Sequence, residues 1–123
     1  MKAINYIVTL FDANPEHSKI TIALTMAVNA ARKGHRSAVI LMGDAVELAN
    51  PGSLEEIAIG APFATGKDLL KELLDKNGQI LVCKSCLLFK GLSAEDIDTR
   101  FPIITGGDVI DLSIQAKGSI QVS

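Results

Sequence analysis

The stretch that most constrains the fold is Ile80-Leu81-Val82-Cys83-Lys84-Ser85-Cys86-Leu87-Leu88-Phe89-Lys90-Gly91. An apolar run ends on a cysteine, and the chain turns polar at Lys84 and Ser85. A short continuous apolar run bounded by turn residues predicts a strand buried on both faces, as in a parallel sheet. Cys83 then stands at the carboxyl end of that strand, the edge where open α/β sheets gather ligands and chemistry. Cys86 is the only other cysteine. Both thiols of the chain therefore fall at one edge.

The remaining pattern supplies the layers around that strand. Residues 3–10 are rich in β-branched side chains and predict a first central strand. Asn14-Pro15 reads as a helix cap followed by proline at the first helical position, with Glu16 near the positive end of the dipole. That helix is expected to run to Lys33, with Ile20, Ala23, Leu24, Ala27, Val28 and Ala31 inward and Gly34 ending it. Residues 36–42 predict a second buried strand, joined to the first by a right-handed crossover and followed by Gly43-Asp44-Ala45. Residues 46–64 read as an irregular connection with helical turns at 46–50 and 54–57. Thr65 caps a helix that buries Leu69, Leu70, Leu73 and Leu74 and closes at Gly78. After Gly91, residues 93–96 resemble a capped turn, and 101–105 a short fourth strand. Residues 107–117 predict a last helix with Val109, Ile110 and Ile114 inward, stopped by Gly118. Residues 120–122 form a final strand. The expectation is one domain over residues 1–123, of α/β class: a three-layer α/β/α sandwich on a mainly parallel five-stranded sheet.

With 123 residues and 13.0 kDa the chain is long enough to bury a core. Hydrophobic residues make up 48% and mean hydropathy is +0.31. Such richness fits a sheet covered on both faces, with further apolar surface between subunits of a homo-oligomer. The net charge of −2, from 12 basic and 14 acidic residues, gives no basic stripe for nucleic-acid phosphates. Four Phe and one Tyr are too few for a base-stacking platform. Neither a signal peptide nor an apolar run of membrane-spanning length is visible, so a cytoplasmic protein without membrane contact is expected. In a reducing compartment, a close cysteine pair is expected to be catalytic, redox-active or metal-binding rather than a staple.

Cys83 and Cys86 admit several chemistries. A zinc site needs four ligands, so both His17 and His35 would have to converge on the pair. A dithiol redox pair would sit at a helix amino terminus. A nucleophilic thiolate could carry sulfur, and two small apolar residues could simply fill space. Lys84 and Lys90 bring positive charge close in sequence, and free backbone N–H groups beyond the strand can cradle an anion. Both effects favour thiolate over thiol. Lys90 by itself reads as solvated surface. Asp44 follows the second strand at the same edge and could face Cys83, although turn formation explains an aspartate there. His17, in the first helical turn, could serve as a base or simply be exposed. Gly106-Gly107 lacks the lysine and length of a phosphate loop and reads as turn chemistry.

The segment Val82-Cys83-Lys84-Ser85-Cys86, followed by Lys90-Gly91-Leu92-Ser93, resembles the signature of the DsrE/DsrF-like sulfur-relay family, notably its YchN-like members. The resemblance extends to the opening strand and long helix, Leu41-Met42-Gly43-Asp44-Ala45-Val46, and the final helix and strand. It implies that Cys83 accepts sulfane sulfur as a persulfide, as in a sulfurtransferase. Cys86 corresponds to a second cysteine found in some members. Lys84, Asp44 and His17 are the expected auxiliary residues. The resemblance further implies sulfur donor and acceptor proteins as partners and a trimeric or hexameric assembly. No cofactor is expected, and no metal, because a zinc site would need both histidines to join the pair. A non-catalytic oligomeric binding module and a Cys-x-x-Cys redox protein are the alternatives.

Overall fold

The computed structural model describes residues 3–123. Its elements in chain order are β1 (Tyr6–Leu10), α1 (Lys19–Arg32), β2 (Ser37–Leu41), α2 (Gly66–Asp75), β3 (Gln79–Cys83), α3 (Lys84–Phe89), β4 (Ile103–Ile104), α4 (Gly106–Gln115) and β5 (Gly118–Val122). They form one five-stranded sheet of order β4-β3-β2-β1-β5. The expected sheet was mainly parallel; all four pairings are parallel.

Two apolar clusters flank the sheet. On one face Val8, Leu10, Val39, Leu41, Ile80 and Val82 pack against Ile20, Leu24 and Val28 of α1 and Leu69, Leu70 and Leu73 of α2. On the other, Ile7, Ala38, Ile40 and Leu81 meet Val109 of α4. Alternate residues of each central strand thus enter opposite cores, which is why these strands read as unbroken apolar runs. Each fully buried Leu or Ile contributes about 2 kcal/mol of apolar burial, so the leucines of α2 dominate its docking. Ser37 is buried without penalty because its hydroxyl donates to the Ala27 carbonyl at 2.7 Å.

Several local expectations need correction. The first helix begins at Lys19, not at Pro15. Asn14 Oδ1 accepts the Glu16 N–H at 2.9 Å, and the His17 N–H bonds the Asn14 carbonyl at 3.1 Å. Asn14-Pro15 therefore builds a self-contained turn ahead of the helix, carrying Glu16 and His17 with it. Gly34 does end α1, at φ +92°. Asn77, at φ +66°, is the left-handed residue after α2, rather than Gly78. Gly78 is required sterically: a Cβ there would lie 2.3 Å from Leu73 Cδ1. Gly118 is the first residue of β5 rather than the stop of α4, which ends at Gln115. The larger error concerns α4. Val109 is inward as expected, but Ile110 and Ile114 are 60% and 79% exposed.

The connection after β2 consists of a 3₁₀ helix (Gly43–Ala49) and further turns. Its far side is tied to the lead-in of β4, since the Asp98 N–H bonds the Ala49 carbonyl at 2.8 Å. Arg100 holds Asp98 and Glu55 together at 2.7 and 3.1 Å. The Ser93–Asp96 turn carries the expected capping box. Among the described residues no helix is long and apolar enough to cross a membrane.

One steric prediction separates two glycines at helix starts. A Cβ on Gly66 would lie 2.0 Å from the Leu54 carbonyl oxygen, whereas one on Gly107 meets nothing closer than Thr105 Oγ1 at 3.7 Å. Gly66→Ala should therefore destabilise the fold by about 2 kcal/mol or more. Gly107→Ala should be neutral or stabilising by up to about 1 kcal/mol. Denaturant midpoints of the two variants check the contrast; similar midpoints would contradict the packing at Gly66.

Candidate functional site

β3 is hydrogen-bonded to β2 on one edge and to β4 on the other, which fixes its register up to Cys83 opposite Ile104. No loop follows. Lys84 opens α3 directly, and Cys83 is its capping residue at φ −69° and ψ 119°. The pair thus lies at a helix amino terminus, the position a dithiol motif requires. Cys83 retains 4% exposure, while Cys86, half-buried, stands one turn along α3. Positions three apart on a helix share a face. The two thiols accordingly meet: the Cys86 side chain is hydrogen-bonded to Cys83, and the Gly43 backbone N–H donates to the Cys86 sulfur.

This contact sets the protonation order at Cys86. Burial pushes its thiol pKa up, the bond to Cys83 pushes it the same way, and the Gly43 N–H pulls against both. Cys86 therefore keeps its proton above the ordinary thiol range. Gly43 reaches the thiol from the end of β2 at φ +56°, a left-handed conformation that suits glycine.

A cavity of about 370 Å³ opens beside the pair, lined by Gly43, Asp44, Ser85, Cys86, Phe89 and Lys90. Lys90 Nζ is ion-paired with Asp44 Oδ1 at 2.5 Å. The bond to Asp44 raises the Lys90 pKa, so Lys90 stays a cation at the cavity wall. Lys90 is thus a partner of Asp44 rather than the freely solvated lysine its sequence position suggests. Lys84 is exposed on the first turn of α3. His17 belongs to another group: its Nδ1 bonds Asp12 Oδ2 at 2.7 Å and its Nε2 lies 3.3 Å from Asn14 Nδ2. It is not among the residues lining the cavity. Among the described residues no group of three or more His, Cys, Asp or Glu side chains is placed to hold a metal ion.

Gly43, Ser85 and Phe89 were not singled out from sequence as members of the site. Gly43 was visible only as a turn residue after an apolar run. Its contribution is a backbone amide, which no side-chain pattern announces. The Lys90–Asp44 pair joins positions 46 residues apart and depends on β2 and β3 being neighbours.

The raised Cys86 pKa has a measurable consequence. Alkylation of Cys86, followed by peptide mass spectrometry against pH, should show a midpoint above the ~8.5 of a free thiol. Cys83→Ala should lower that midpoint, because one of the interactions that raises it is gone. A native midpoint at or below the free-thiol value would contradict the thiol contact.

Comparison with known proteins bears on the fold and the lineage. The crystal structure of the ychN protein from E. coli superposes with a TM-score of 0.75 at 17% identity, covering 95% of this chain and 97% of that one. A conserved protein of unknown function from Bacteroides thetaiotaomicron superposes with a TM-score of 0.67 at 15% identity, covering 97% and 95%. At such identities the likeness concerns the fold. No curated protein sequence is significantly similar. The sequence matches the family described as DsrE/DsrF-like over residues 5–122, nearly its whole length. The chain belongs to the DsrE/DsrF-like family.

Proposed function

We propose that this protein is a cytoplasmic sulfur-relay carrier that accepts sulfane sulfur on Cys83 and passes it to a partner thiol. The observation that carries the reading is the thiol pair at the junction of β3 and α3, beside a cavity walled by the Lys90 cation. In the accepting step the Cys83 thiolate attacks the outer sulfur of a donor persulfide. The donor S–S bond breaks, a Cys83 persulfide forms, and the donor leaves as a thiolate. In the delivering step an acceptor thiolate attacks the terminal sulfur and Cys83 is returned as a thiolate. Cys83 is held by the sheet, so its sulfur direction is set by packing; the donor approaches along Cys86, which lines the cavity. Asp44 holds Lys90 in place, Lys84 adds positive charge at the helix start, and His17 remains an outer auxiliary residue.

Intact mass after incubation with a sulfane-sulfur donor tests the assignment. Cys86→Ser should gain one increment of about 32 Da, and Cys83→Ser none. An increment that survives loss of Cys83 and vanishes with Cys86 would reverse the roles.

The same reading takes the protein as a homo-oligomer, a trimer or hexamer, with Leu88 and Phe89 near the subunit contact. Their exposures of 63% and 90% support it, since large apolar side chains are seldom left so open. Because Phe89 also lines the cavity, a neighbouring subunit there would border the site. Sedimentation at micromolar concentration should give a species heavier than the 13.0 kDa chain, and Phe89→Glu should reduce it. A wild-type monomer would remove the assembly from the reading.

A further inference from the structure

Cys86 does more than border the cavity. Its side chain lies one helical turn beyond Cys83, on the same face, and touches the sulfur that would carry the persulfide. Positions three apart on a helix have Cβ atoms about 5–6 Å apart. A disulfide needs them at about 3.5–4.5 Å, so the bridge closes by a small inward shift of the first turn of α3. The chain has two cysteines, so neither has another intrachain partner.

We propose that Cys86 is a resolving thiol and that the protein, when no acceptor is docked, reduces its bound sulfane sulfur to sulfide. The inference rests on the carrier reading, because the substrate is the Cys83 persulfide. In the step, the Cys86 sulfur attacks the inner sulfur, Sγ of Cys83, and gives up its proton as it does so. The bond from Sγ to the terminal sulfur breaks, a Cys83–Cys86 disulfide forms, and the terminal sulfur leaves as hydrosulfide. The two cysteines lose two electrons and the sulfane sulfur gains them, so no outside oxidant enters. The Cys86 proton accompanies the outgoing sulfide. A dithiol reductant then exchanges with the new disulfide and restores both thiols.

The geometry suits this exit. The outgoing hydrosulfide is an anion, and the adjoining cavity has Cys86 and the Lys90 cation in its wall. Only two residues separate the thiols, so closing the ring costs little chain entropy. The relay then has two competing outcomes at one sulfur atom: attack on the terminal sulfur by an acceptor passes it on, and attack on the inner sulfur by Cys86 discharges it.

The test uses the full chain, reduced beforehand, loaded with inorganic polysulfide and freed of donor by desalting without oxygen. Intact mass and released sulfide are followed in time. Wild type should end about 2 Da below the dithiol protein, having released one sulfide per chain. Cys86→Ser and Cys86→Ala should both hold the increment of about 32 Da and release no such burst. Wild type that keeps the increment as long as these variants overturns resolution and leaves the carrier reading intact. A disulfide without an equivalent of sulfide also overturns it. If none of the proteins takes up sulfur, the carrier reading has failed and resolution falls with it.

Discussion

Burial of β3 on both faces and along both edges is the constraint on which the rest of this structure depends. Ile80 and Val82 are fully enclosed, and Leu81 nearly so. The strand cannot shift by one residue without exchanging the contents of two cores. Its last residue is Cys83, and α3 begins at the next, so the precision of the sheet is handed to the thiols without a loop to dilute it. The neighbouring strand delivers Gly43 and Asp44 to the same place by the same register. A site assembled in this way has a rigid floor.

The electrostatics of that rim are self-contained. The Lys90 cation is engaged by Asp44, and Cys86 holds its proton through burial and its bond to Cys83. The closeness of the two thiols follows from a strand end followed by one helical turn.

Much of this was legible in the sequence because parallel strands and leucine stripes obey strong periodic rules. The Ile80–Cys83 run, the Thr65 cap and the leucines of α2 needed only local chemistry to be read. Asn14 misled because the same side chain that caps helices also closes Asx turns; the choice was made by bonds among Asn14, Glu16 and His17 that periodicity does not encode. Ile110 and Ile114 misled for a different reason. An apolar stripe announces that something covers it, but not whether the cover comes from this chain. The cavity was invisible because its wall is drawn from β2's end and α3's far side, which meet only in the folded sheet.

The two faces of the sheet are unequally covered, and that asymmetry shapes how the molecule comes apart. One face carries α1, α2, Leu87 of α3 and a long connection, whereas the other rests on α4, in which Val109 is the buried residue. Lifting α4 exposes little of its own surface, so its opening lies near the low end of the free-energy scale for partial unfolding. Amide protons of α4 are accordingly the ones to trade with solvent by local excursions, while those of β1, β2 and β3 wait for global unfolding. During such an excursion Ile7, Ile40 and Leu81 are briefly uncovered. A protease acting on the locally opened form would therefore meet the protein first at this one short helix.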